Sequence, residues 1–155
     1  MDADSFALSP AERALLQALN QAGVRFIIVG LGAAALQGAN TATEDVDLWF
    51  ENTADPRIAE AVTGAGAVWI SGSFSLEPPR IGGGAVGNRF DVVTYMHGLG
   101  KFADELPNTT QLDLDGIPVH VLRLERIIAS KQAAGRKKDL AAIPALEEAL
   151  AALKG

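Results

Sequence analysis

The chain has 155 residues, of which 48% are hydrophobic and 21% charged, and a formal net charge of -6. This length allows one folded unit with a real core, and the composition is that of a globular rather than a disordered chain. The acidic balance argues against broad, sequence-independent nucleic-acid binding, and the absence of cysteine excludes disulfides, thiolate nucleophiles and cysteine-ligated zinc. The first ten residues carry neither a basic segment nor an apolar run, so no signal peptide is expected. No apolar stretch approaches the ~18 residues of a membrane span, and a cytoplasmic protein is expected.

Ser9-Pro10-Ala11-Glu12 reads as a helix start: Ser9 caps, Pro10 suits the first helical position and Glu12 closes a capping box. Leu15, Leu16, Leu19 and Ala22 continue at helical spacing, and Gly23 is the stop. Residues 25–29 form an aliphatic strand that reads as buried on both faces. Residues 30–38, rich in Gly and Ala, read as a tight turn feeding a short helix. Residues 46–50 are the next strand and 55–63 a further helix. The stretch 71–88, with Pro78, Pro79 and Gly82-Gly83-Gly84, reads as a loop between short strands. A strand over 89–95 follows, then a helical piece near 101–106. Asp115-Gly116 marks a hairpin turn between 111–114 and 117–122. From about 123 onward the pattern is two helices broken near Gly135. The expected fold class is α/β (α+β), a mixed sheet within a single unit spanning 1–155.

Chemistry concentrates in Thr43-Glu44-Asp45-Val46-Asp47-Leu48. Residues two apart on a strand share a face, so Asp45 and Asp47 stand side by side and repel unless a cation lies between them. Magnesium favours carboxylate oxygens together with substrate phosphates. Asp91, set among Phe90, Val92 and Val93, is costly to bury unpaired. If its strand neighbours that of Asp47, the three form one group. The plainer reading has Asp45 at a strand end, Asp47 facing solvent and Asp91 paired with Arg89 or Arg25.

The combination of an apolar strand, Gly30, a short helix ending at Gly38, Thr43, then Asp45-x-Asp47 resembles the DNA polymerase beta-like nucleotidyltransferase superfamily. The similarity is greatest to its small bacterial branch, which includes abortive-infection toxin nucleotidyltransferases. Asp91 matches the branch's third acid, and Lys131 with Gly135-Arg136-Lys137-Lys138-Asp139 resembles its C-terminal pattern. The resemblance implies a minimal nucleotidyltransferase fold, with helices packed mainly on one side of the sheet. It implies transfer of a nucleoside monophosphate from an NTP to an acceptor, with Mg2+ or Mn2+ held by Asp45, Asp47 and Asp91. Gly30, Gly32, Thr43 and Lys131 are then the nucleotide-binding candidates. The acceptor is open between RNA, protein and a small molecule, and a partner protein or a second copy would help to hold it. Leu31 and Thr41 stand where relatives usually have Gly or Ser, and Arg. A leucine crowds a backbone that must approach phosphate. The alternative function is therefore a catalytically impaired relative that binds nucleotide or protein.

Gly30-Leu31-Gly32-Ala33-Ala34-Ala35 also fits a dinucleotide-binding fingerprint, but Gly38 stops the helix too early and no repeated βαβ unit follows. The positive cluster of Lys131, Arg136, Lys137 and Lys138 reads either as a phosphate or acceptor contact or as a solvated turn with Asp139 pairing locally. His97 and His120 lack partners for a zinc site and read as surface or structural residues. Trp49 and Trp69 read as core.

Overall fold

The computed structural model describes residues 7–43, 45–72 and 77–155. Glu44 of the acidic motif, the middle of the 71–88 stretch and the extreme N-terminus lie outside the described residues. Helix α1 (Pro10–Ala22) begins with the expected capping box, in which Ser9 Oγ accepts the Glu12 N–H at 3.2 Å and Glu12 Oε1 accepts that of Ser9 at 2.9 Å. It ends at Gly23 in the left-handed region (φ 76°), and Leu15, Leu16 and Leu19 are fully buried. Burial of such side chains is worth about 1.5–3 kcal/mol each.

Strand β1 (Phe26–Val29) is buried along its whole length, because it lies at the centre of a five-stranded mixed sheet. Helix α2 (Gly30–Leu36) follows it at once, then β2 (Val46–Phe50) and α3 (Pro56–Gly64). A two-stranded antiparallel ribbon, β3 (Val68–Ile70) with β4 (Arg80–Gly82), leads through helix α4 (Gly84–Arg89) into β5 (Phe90–Val93). A short helix α5 (Phe102–Glu105) and a 3-10 turn lead into the hairpin β6 (Thr109–Leu114) and β7 (Ile117–Leu122). Two helices, α6 (Leu124–Ala134) and α7 (Lys137–Lys154), complete the order. The main sheet runs β5-β2-β1-β7-β6, with β2–β5 and β1–β7 parallel and the β1–β2 and β6–β7 pairs antiparallel.

The hairpin turn is as expected. Asp115 and Gly116 both take positive φ (51° and 85°), the geometry of a two-residue type I′ connection. Asp115 also accepts the Leu8 N–H at 3.0 Å and pairs with Arg13 at 3.1 Å, which fastens the entry of α1 to the far end of the sheet. Short strands β3 and β4 border the stretch 71–79 as expected, and the departure within 71–88 is helix α4. The segment GAVGNR has poor helix propensity, and its helicity rests on tertiary contacts. Val86 is buried, and Arg89 pairs with the buried Glu12 of α1 at 3.3 Å. Residue 89 therefore ends α4, and β5 spans Phe90–Val93, shorter than the 89–95 expected.

Candidate active site

The parallel pairing of β2 with β5 decides how the acids meet. Asp47 is in register with Asp91, so the two lie directly beside each other on one face of the sheet. Asp45 precedes β2, and its N–H donates to Thr43 Oγ1 at 3.3 Å. The Thr43 hydroxyl thus contacts the backbone of Asp45 just ahead of β2. Among the described residues Arg89 pairs with Glu12, and Arg25 with Glu51 at 3.6 Å.

Two glycines make the approach of α2 to these acids sterically feasible. Gly30 takes φ 74°, and a Cβ there would land on Asp47 Oδ2. At Gly32 a Cβ would come within 2.7 Å of the Asp45 carbonyl oxygen. At Gly32 the obstacle is backbone and a side chain would force the helix away, whereas at Gly30 it would displace the Asp47 carboxylate and strain the left-handed backbone. The N-cap of α2 is Val29, which supplies no side-chain hydrogen bond. The Gly-x-Gly of the sequence is thus explained by close packing of α2 on Asp45 and Asp47. Leu31 between them is half-buried and packs against the core. The Thr41 hydroxyl is buried with no hydrogen-bond partner among the described residues.

The electrostatics follow from this crowding. Asp47 is pushed up to about 6, first by burial, then by the negative charges of Asp91 and Asp45, against the opposing pull of Lys131. Asp91 is raised as well, by burial first and then by Asp45. Asp47 opens into a cavity of about 310 Å3 that it shares with Gly30, Tyr95, Lys131, Arg136 and Asp139. Lys131 Nζ sits 3.2 Å from Asp139 Oδ1, and Asp139 also binds the Arg136 side chain at 2.6 Å and its N–H at 3.2 Å. Asp139 is completely buried and is pulled down to about 2, above all by Arg136. The local pairing expected of Asp139 is found, but it spans the α6–α7 corner and fixes both cations at the cavity wall. Lys131 is therefore brought to the acids, whereas Lys137 and Lys138 are exposed at the start of α7.

Sequence reasoning did not single out Tyr95 or Ser130, which line the same cavity. The exposure of Tyr95 (64%) is visible only in the structure. His97 stands edge-on to Tyr95, with centroids 5.1 Å apart. Trp49 is buried and packs on Phe102, and Trp69 packs on Phe50.

The donor chemistry suits a divalent cation: repelling carboxylates on one face, both with raised proton affinity, gain most from a positive charge placed between them. As placed, no three acidic or histidine side chains among the described residues close into a complete cage. Among the described residues no helix is long and apolar enough to cross a membrane.

The five-stranded mixed sheet, with the tight β1–α2 turn facing acids on β2 and β5, is the nucleotidyltransferase fold of the DNA polymerase beta-like superfamily. The chain belongs to the family described as nucleotidyl transferase of unknown function (DUF2204), which matches residues 10–154. Among solved structures, the crystal structure of ANT(2")-Ia in complex with adenylyl-2"-tobramycin is similar. It has a TM-score of 0.59 at 15% identity, covering 92% of this chain and 88% of that one. The solution structure of the antibiotic-resistance factor ANT(2'')-Ia gives a TM-score of 0.53 at 15% identity, over 99% and 97% of the two chains. An antigenic nucleotidyltransferase-like protein from Paracoccidioides brasiliensis gives 0.50 at 19% identity, over 88% and 74%. At these identities the likeness is one of fold. No curated protein sequence matches the chain.

Proposed function

We propose that the chain is a metal-dependent nucleotidyltransferase that moves a nucleoside monophosphate from an NTP to an acceptor hydroxyl. The observation that carries this reading is the register of Asp47 with Asp91 beside a cavity that also holds Lys131. Asp45, Asp47 and Asp91 would hold Mg2+ or Mn2+. When bound, such a cation neutralises the triphosphate and favours in-line displacement at phosphorus. In the proposed reaction the acceptor oxygen attacks the α-phosphorus while the bond to the bridging oxygen of the β-phosphate breaks, and pyrophosphate leaves. Asp91, exposed and with a raised proton affinity, is placed to take the proton of the acceptor hydroxyl. Lys131 orients the phosphates, and Gly30 lines the same cavity.

The acidic surface favours an acceptor held by local contacts rather than by broad charge attraction. The sequence resemblance points to the toxin or modifying half of a defence-type cytoplasmic module, whereas one similar fold is seen with an adenylylated aminoglycoside. A small hydroxylated molecule therefore joins RNA and protein among the acceptors to test. Incubation with NTPs labelled at the α-phosphate, with Mg2+ or Mn2+ and each acceptor class, should transfer label in the wild type and not in Asp47→Asn. A second reading, a nucleotide- or protein-binding module without catalysis, is favoured by Leu31 and by Thr41, whose hydroxyl has no hydrogen-bond partner among the described residues. Metal-dependent NTP binding without transfer or pyrophosphate release in any condition would select it.

A further inference from the structure

A nucleoside triphosphate has a charged end and a flat heteroaromatic end, and the cavity has walls of two matching kinds. Asp47 and Lys131 form the charged part. Four residues beyond Asp91 the chain reaches Tyr95, at most about 13 Å further along at strand spacing, and Tyr95 lines the same cavity. Tyr95 is 64% exposed, a large aromatic surface left in water beside a concave site. His97, itself exposed, meets the ring edge-to-face at 5.1 Å with planes at 78°. Arg136 shares the cavity wall, and its guanidinium is fixed by Asp139 at 2.6 Å. Aromatic rings and guanidinium planes are the two side-chain surfaces on which bases stack.

Given the reading of the Asp47–Lys131 end as the phosphate site, we propose that Tyr95 is the platform on which the base of the bound nucleotide stacks, with Arg136 at its flank. The wall from Thr94 to His97 also borders a second cavity, of about 790 Å3, containing Trp49, Lys101 and Phe102. A ring serving only that second cavity would not respond to nucleotide, which gives the proposal a definite rival.

Tyr95 is the only tyrosine in the chain, so ring-13C tyrosine labelling yields a single set of aromatic NMR signals. Magnesium ATP should move those signals upfield, as a stacked base requires, whereas magnesium tripolyphosphate, which lacks a base, should leave them near their starting positions. By calorimetry, Tyr95→Leu should weaken ATP binding between about fivefold and a hundredfold. It should leave tripolyphosphate binding unchanged, and Tyr95→Phe should keep wild-type affinity for both. Because the residue is exposed, neither substitution should disturb folding, and the wild-type spectra need no variant. ATP binding without any movement of the Tyr95 signals would overturn the proposal and leave the phosphate site standing. So would equal weakening of ATP and tripolyphosphate by Tyr95→Leu. Failure of the wild type to bind either ligand would remove the phosphate-site reading and this proposal with it.

Discussion

Two groups of carboxylates in this molecule sit in opposite circumstances. Glu105 and Asp139 are buried and amply partnered. Glu105 accepts two bonds from Arg126 at 2.8 Å, the Gly100 N–H at 2.9 Å and Asn108 at 3.1 Å, and is pulled down to about 2, mainly by Arg126. Asp139 holds Lys131 and Arg136 in the same manner. Asp47 and Asp91, by contrast, stand beside each other in register and are both raised, Asp47 to about 6. A fold that needs a buried carboxylate for its own cohesion surrounds it with donors. Acids left in mutual repulsion at a cavity are suited to a cation from outside the chain. Glu105 ties the approach to α5 to α6, and Asp139 ties α6 to α7 at the wall of the cavity that Asp47 also lines.

This contrast can be broken most forcefully at the acids themselves. The double change Asp45→Asn and Asp47→Asn should abolish metal-dependent NTP binding while thermal stability stays level or rises, because repulsion is relieved. Unchanged binding in that variant would show that the acids serve no nucleotide. On the structural side, Arg126→Ala leaves the buried Glu105 without its cationic partner and should cost about 3 kcal/mol in urea unfolding. A loss within experimental error would mean that water replaces the arginine without penalty. Asp139→Asn should cost about 1–2 kcal/mol. It should also weaken NTP binding several-fold by releasing Lys131 and Arg136, whereas a stability loss with unaltered binding would confine Asp139 to a structural role.

Acid should separate the two groups by sign. Glu105 and Asp139 have folded-state proton affinities below their ordinary ones, so their contribution is whole above about pH 4.5 and fades as pH falls toward about 2. Asp47 runs the other way: its folded form keeps a proton that the unfolded chain gives up. In metal-free buffer it therefore erodes stability as pH rises from about 4 to about 6, and no further above that. Asp47→Asn should remove that decline, the smallest effect of the set. An identical pH profile for the variant would contradict the crowding inferred at the cavity.

Local periodicity makes much of this legible in the amino-acid sequence. Asp45 and Asp47 share a face by the twofold repeat of a strand, and the Ser9–Glu12 capping box and the Asp115-Gly116 turn are chemistry of adjacent residues. The place of Asp91 depends on a long-range choice, parallel pairing of β5 with β2, which spacing alone does not dictate. The short strands around the 71–88 stretch are expected, but their pairing and helix α4 are hidden for a different reason. The strands are three residues long, and α4 draws its stability from α1 rather than from its own sequence. Asp139 resembles one charge in a solvated run because its burial arises only when α7 folds back on α6. Tyr95 gives no signal, since an exposed aromatic and a core aromatic look alike in a sequence.

The most direct test of the central claim is calorimetric titration of ATP, GTP, CTP and UTP into the protein with and without magnesium. The Asp45, Asp47, Asp91 and Lys131 arrangement predicts binding that requires the metal, with one base preferred. Failure of all four nucleotides to bind in the presence of magnesium, with the protein shown to be folded, would contradict it.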